Sequence, residues 1–350
     1  FANVSPVPHP GSLIENYYIS PITHLNSPAT SLTQTSNNST RSPSNTPTLS
    51  TPLILTRMLG DYASLLIKGS CFSPFLHLPK VKNVEPDLTS FPFTSMAICS
   101  STGMNLSSDK QFFRQAIDAA RHRLIGNFPL YECMQQWDAI HAILIYESLE
   151  IKDAIGNESE AWRLVVPVKN LEMGFLLKMT RTYIEPYLQI RSPDITAFSD
   201  FKSTPCSPTT TTWGRWRTTE TTRRTVFIVN MVNFLNNYDP RTRKTSPYYE
   251  PLNDDLILNM PLPCSQTVWL AYEEENCRLA IKNHQPWFNY SSTDPDHSTT
   301  EALSKETCLS SILSKYSKER IQAAIGPHVG LSDSDDLRRL IILCATEQFL

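Results

Sequence analysis

Apolar residues recur at three- and four-residue spacing over most of the chain, which predicts amphipathic helices rather than strands. Over residues 53–68 the period is set by Leu55, Met58, Leu59, Tyr62 and Leu65/Leu66. Ser107 or Ser108 is placed to cap a following helix, whose stripe is Phe113, Ile117, Ala120 and Leu124. Over residues 131–151, Met134, Trp137, Ile140 and Leu144 share one face, and Ile143, Tyr146 and Leu149 widen it. A helix apolar over so much of its circumference is expected to be central. Residues 160–187 are periodic too, with Pro167 expected to break or kink the helix because proline lacks the N–H donor. Residues 314–325 and 332–349 read as two closing amphipathic helices. Strand-like alternation is scarce. The expected class is all-α, a large irregular helical bundle.

The first 50 residues depart from this pattern. Ser, Thr, Asn and Pro dominate there, and Glu15 and Arg41 are the only strong charges. Such a composition does not bury enough apolar surface to offset its ordering entropy, so residues 1–50 are expected to be a disordered linker. Residues 51–350 then form the helical domain, with internal linkers near 199–212 and 290–300. The chain starts at Phe1, which points to a fragment of a longer protein.

Composition removes several functional classes. Glycine is rare, 10 in 350 residues, and neither GxGxxG nor GxxxxGK[ST] occurs, so phosphate-cradling loops are not expected. A net charge of −3 gives no global basic field for a nucleic-acid backbone. The eight cysteines are never closer than the 13 positions between Cys264 and Cys277, which excludes paired zinc ligands and a six-cysteine cluster within these residues. They read as reduced core residues. None of the eight histidines pairs as HxxxH or HExxH, and no GxSxG elbow is present. No catalytic residue, metal ligand or cofactor is therefore assigned, and the chain is not expected to be an enzyme. No apolar run approaches the length of a membrane span.

The most informative stretch is 213–271. It carries Trp213, Trp216, Glu220, Arg223 and Arg224, then a Pro-rich connection, then Leu262-Pro263 ahead of Trp269-Leu270-Ala271. Other segments precede it in order. Tyr62-Ala63-Ser64-Leu65-Leu66 is followed by Ser73-Pro74-Phe75-Leu76-His77, then by Met96-Ala97-Ile98-Cys99, by a helix ending Arg121-His122-Arg123-Leu124, and by Met134-Gln135-Gln136-Trp137 leading to Ile145-Tyr146. In this order, over roughly residues 53–280, the segments resemble the regulatory (middle homology) region of fungal-specific transcription factors. Ser73, Ala63 and Gln135-Gln136-Trp137 depart from that family's pattern.

The resemblance implies a nuclear protein whose zinc-dependent DNA-binding module, a six-cysteine zinc cluster or Cys2His2 fingers, lies outside this chain. It implies contact with DNA through that module only, with homodimerisation, transcription-machinery contacts and a small-molecule effector as further expected partners. Its signature residues here are Tyr62, Pro74, Phe75, His77, Trp213, Trp216, Glu220, Arg223, Arg224, Leu262, Pro263 and Trp269. A helical scaffold without any link to DNA, and an α-helical enzyme with a dispersed site, are the alternatives.

Physically, the signature reads as a register lock. On a helix Trp216, Glu220, Arg223/Arg224, Phe227, Met231 and Phe234/Leu235 are expected along one side, with Glu220 and Arg224 spaced for an ion pair. The functional alternative is a basic surface of Arg215, Arg217, Arg223 and Arg224. Leu262-Pro263 is expected to be extended, with Ser265 capping a helix whose aromatic face points inward. Trp269 is expected in the core, with an effector-pocket wall as its alternative role.

Overall fold

The computed structural model describes residues 51–67, 110–156, 166–185, 188–191, 212–239, 242–271, 274–282, 307–325 and 334–350. These all belong to one compact unit, Thr48–Leu350. The linkers expected at 1–50 and 290–300, and Pro74, Phe75 and His77 of the signature, lie outside the described residues, as does all of 199–212 except Thr212.

Helices make up 82% of the interpretable part, and the fold is all-α. In chain order they are α1 (Thr51–Ile67), α2 (Lys110–Asn127), α3 (Cys133–Gly156), α4 (Val166–Ile184), α5 (Thr212–Asn237), α6 (Asp254–Asn259), α7 (Gln266–Trp269), α8 (Glu274–Lys282), α9 (Leu309–Lys315), α10 (Lys318–Ile325) and α11 (Ser334–Phe349). Short 3₁₀ turns occupy Phe128–Leu130 and Leu188–Arg191. A two-residue antiparallel ladder, Tyr238–Asp239 on Lys244–Thr245, follows α5. No described helix is long and apolar enough to cross a membrane.

Helix α5 is the axis of the bundle, packed by α1, α3, α4, α6, α11 and the second 3₁₀ turn. α1 lies along α3, and Ser148 ties them by donating to the backbone carbonyl of Leu59. The expected central helix is confirmed as α3, buried without interruption from Ala139 through Ser148.

The expectation of a one-sided α5 is corrected. Between Thr219 and Asn237 only Thr221 and Asn236 are not fully buried. The polar run Thr218–Thr225 thus lies inside the protein except at Thr218 and Thr221, which are half-buried. It can do so because its hydroxyls turn back on the helix: Thr221, Thr222 and Thr225 donate to the carbonyls of Arg217, Thr218 and Thr221 at 2.8–2.9 Å. Threonine is a modest helix former, so burial rather than propensity holds this segment helical.

Pro167 lies at the start of a described helix, and residues 157–165 ahead of it lie outside the described residues. It sits second in α4, where the N–H it lacks has no intrahelical acceptor. The helix expected over 314–325 is two helices, because Tyr316 is extended (φ −125°, ψ 139°) and Ser317 Oγ accepts the Arg320 N–H. Asp254 and Asp255 open α6 behind an Asn253 cap that accepts the Leu256 N–H at 3.0 Å, so this acidic run faces a helix N-terminus.

Candidate functional site on the central helix

The signature residues of 213–271 meet in one buried network at the N-terminal half of α5. Glu220 and Arg223 are 1% exposed and Arg224 is 0%. Their i, i+3 and i, i+4 spacing on α5 puts both guanidiniums on the Glu220 carboxylate. Arg224 Nε donates to Glu220 Oε1 at 2.9 Å, and Arg223 Nη1 stands 3.5 Å from Oε2. A third donor comes from far along the chain: the Cys264 N–H reaches Glu220 Oε1 at 2.9 Å.

The arginines spend their remaining donors on other segments. Arg223 Nε donates to the Ile190 carbonyl at 2.9 Å, fixing the second 3₁₀ turn. Arg224 Nη2 donates to the Cys264 carbonyl at 3.1 Å and to Ser334 Oγ at 2.6 Å. The Ser334 hydroxyl in turn donates to the Cys264 carbonyl, and the Ser334 N–H to Gln266 Oε1 at 2.8 Å. The Arg224 guanidinium also lies 3.8 Å from the Trp269 ring centroid, a cation–π contact in a dry setting. Pro263 has no N–H to leave unsatisfied, and Leu262 donates its own to the Thr307 carbonyl at 2.8 Å. Four separate stretches (the 3₁₀ turn, α5, the 262–266 segment and the start of α11) are thereby fixed to one carboxylate and two guanidiniums.

Around this network sits a small apolar cluster of Trp216, Cys264, Val268, Trp269, Ala271 and Cys277, distinct from the main core. Trp213 borders it, with the Arg217 guanidinium 4.7 Å from its ring centroid. Burial pushes the Glu220 carboxyl upward, but Arg224, Arg223 and the Cys264 N–H together hold it below the usual glutamate range. Burial drives the Cys264 thiol well up, so it stays protonated. The four described cysteines that can be judged, Cys264, Cys277, Cys308 and Cys344, are free thiols.

The basic-surface alternative is corrected for Arg223 and Arg224, which face the interior. The ion pair and inward Trp269 match the register-lock reading, and Tyr62 is buried on α1, away from the small cluster. Ser265 stands at the N-cap of α7, but its side chain makes no capping bond and contacts Thr267 Oγ1 at 3.1 Å instead.

Two buried polar groups escape a sequence reading. Arg121, 1% exposed on α2, donates to Glu147 Oε1 at 3.1 Å and Glu150 Oε1 at 2.7 Å on α3. The available signal was Glu147 itself, a carboxylate within the apolar run of α3. His141, fully buried, stacks on Trp137 with centroids 4.4 Å apart, and neither ring nitrogen makes a well-formed hydrogen bond. Burial pushes it down to about 3, against a weaker upward pull from the Trp137 carbonyl. Among the described residues no group of three or more His, Cys, Asp or Glu side chains is arranged to hold a metal ion.

No family model, no curated protein and no solved structure matches the chain.

Proposed function

We propose that this chain is the helical regulatory region of a nuclear, fungal RNA polymerase II transcription factor. In this reading it is not an enzyme and needs no cofactor of its own. It restrains or positions a zinc-dependent DNA-binding module that lies outside these residues. DNA is contacted through that module, while the helical region offers surfaces for homodimerisation, for the transcription machinery and for a small-molecule effector.

The observation that carries the reading is convergence. Residues singled out by the resemblance at 216–224 and again at 262–269 are neighbours in one buried network, although about 40 positions separate Arg224 from Cys264. With Arg223 and Arg224 enclosed, base edges and phosphates are left to the outside module. The same enclosure also favours a second reading, a helical scaffold with no link to DNA.

Two measurements decide between them. Gel-shift titration of the isolated chain is expected to show no sequence-specific binding, and nanomolar binding overturns the division of labour. The coding sequence upstream of Phe1 is expected to contain a cysteine-rich zinc module; a start codon there without such a module favours the scaffold.

A further inference from the structure

Helix α5 serves two hydrophobic clusters. Its C-terminal half, with Phe227, Met231 and Phe234, belongs to the main core that also holds Cys344 of α11. Its N-terminal half, with Trp216, belongs to the small cluster closed by Cys264, by Val268 and Trp269 of α7, and by Cys277 of α8. Between them along α5 lies the polar layer of Thr219, Glu220, Thr222, Arg223 and Arg224.

α7 and α8 are short, four and nine residues, and α8 packs chiefly on α7. α7 meets the rest of the fold at the start of α11 and across the Trp269 face over Arg224. Among the described residues, the polar bonds tying this flap to α5 and α11 include the Cys264 N–H to Glu220, Arg224 and Ser334 to the Cys264 carbonyl, Arg224 to the Cys264 sulfur, and the Ser334 N–H to Gln266.

The free-energy balance of opening differs at the two clusters. Separating the main core exposes a much larger apolar area, which water disfavours in proportion to that area. Lifting α7 and α8 also exposes apolar surface, but it returns Glu220 and Arg224 to water. The desolvation penalty of buried ions is then relieved, offsetting much of the Coulombic and hydrogen-bond loss. Short elements with few apolar contacts are where subglobal opening takes place.

We infer that α7 and α8 form a flap that opens on α5 as a cooperative unit separate from the main core, with Glu220 as its latch. The open state uncovers Trp216, Trp269 and Arg224. It supplies a regulatory region with a second conformation that the closed fold conceals, and it does not depend on the transcription-factor reading.

The three buried thiols report on it directly. Native-state alkylation of the full chain with iodoacetamide, read by peptide mass spectrometry across a urea series below the unfolding transition, is the test. Cys264 and Cys277 are expected to label together, about 10-fold or more faster than Cys344 and with a shallower urea dependence. Glu220→Gln is expected to raise both flap rates by about 10-fold. Equal rates and equal urea dependence at all three thiols overturn the separate unit, and so does labelling of Cys277 without Cys264. Acceleration of Cys344 by the variant with both flap thiols unchanged overturns the latch. If Glu220→Gln does not fold, Ser334→Ala, which removes the hydroxyl between Arg224 and Cys264, is judged by the same criteria.

Discussion

Arg121 and Glu220 are each 1% exposed and each sits in an ionic network, yet the two networks are built in opposite ways. At Arg121 one guanidinium gathers Asp118 of its own helix, α2, and Glu147 and Glu150 of the next helix described, α3. One of those carboxylates, Glu150, keeps 30% of its side-chain surface open to solvent. At Glu220 one carboxylate gathers two guanidiniums and a backbone N–H, and its network spans stretches from residue 190 to residue 334. The first is a local clamp with a route to water. The second is closed, and it defines where distant segments lie. A buried ion pair is a poor source of net stability, because desolvation consumes the attraction, but it penalises every arrangement that leaves a charge unmatched. The lesson is that the closed network specifies the fold while the open one mainly trims the α2–α3 contact.

The sharpest way to break this contrast is to remove each hub. Glu220→Ala leaves two enclosed guanidiniums without their carboxylate and is expected to cost about 3–5 kcal/mol in urea unfolding. Glu220→Gln is expected to lower the melting temperature too, and an unchanged melting temperature rules out the buried pair as a register lock. Arg121→Ala is expected to cost less, about 1–3 kcal/mol, since Glu150 already reaches solvent and only the buried Glu147 loses an enclosed cation. Equal losses at the two hubs erase the distinction between them.

Acid acts on α3 before it acts on Glu220. His141 is neutral in the fold and gains a proton on unfolding anywhere between about pH 3 and pH 6.5. Its contribution is therefore whole above pH 6.5 and declines as the pH falls below it, by about 2 kcal/mol between pH 6.5 and 5. Glu220, held below its ordinary value of 4.5, keeps its contribution until the pH drops past that value. Comparing urea midpoints at pH 6.5 and 5, His141→Phe is expected to flatten the slope, and an unchanged slope assigns the acid sensitivity elsewhere. The smallest effect is expected from Ser334→Ala, about 1 kcal/mol, because Arg224 retains both Glu220 and the Cys264 carbonyl.

Much of the fold was legible in the chain. Leu55, Leu59 and Tyr62 on α1, Ile117, Ala120 and Leu124 on α2, and Ile140 and Leu144 on α3 are buried as their stripes require, since spacing of apolar residues on a helix is a local property. α5 was legible in content but not in surroundings. Its threonines and arginines look like a solvated face until the back-bonding of each hydroxyl and the single shared carboxylate are seen. Arg121 and Glu147 are both visible as residues, but nothing local says that two groups 26 positions apart come together. His141 was hidden for the opposite reason, because an isolated histidine on an apolar face carries no pattern at all.

Sequence by itself determined the class, the long helices near residues 51–67, 110–127, 133–156 and 334–349, and the pairing of Glu220 with Arg224, because periodicity and i, i+4 spacing are fixed by the helix geometry. The tertiary structure alone decided that α5 is enclosed on all sides, that Cys264 and Ser334 complete its network, and that a second small core sits beside the first. Those outcomes depend on which segments 40 to 110 positions apart share the charged groups of α5. Burial makes each such choice mandatory, since a charge left unmatched inside the protein has no water to turn to.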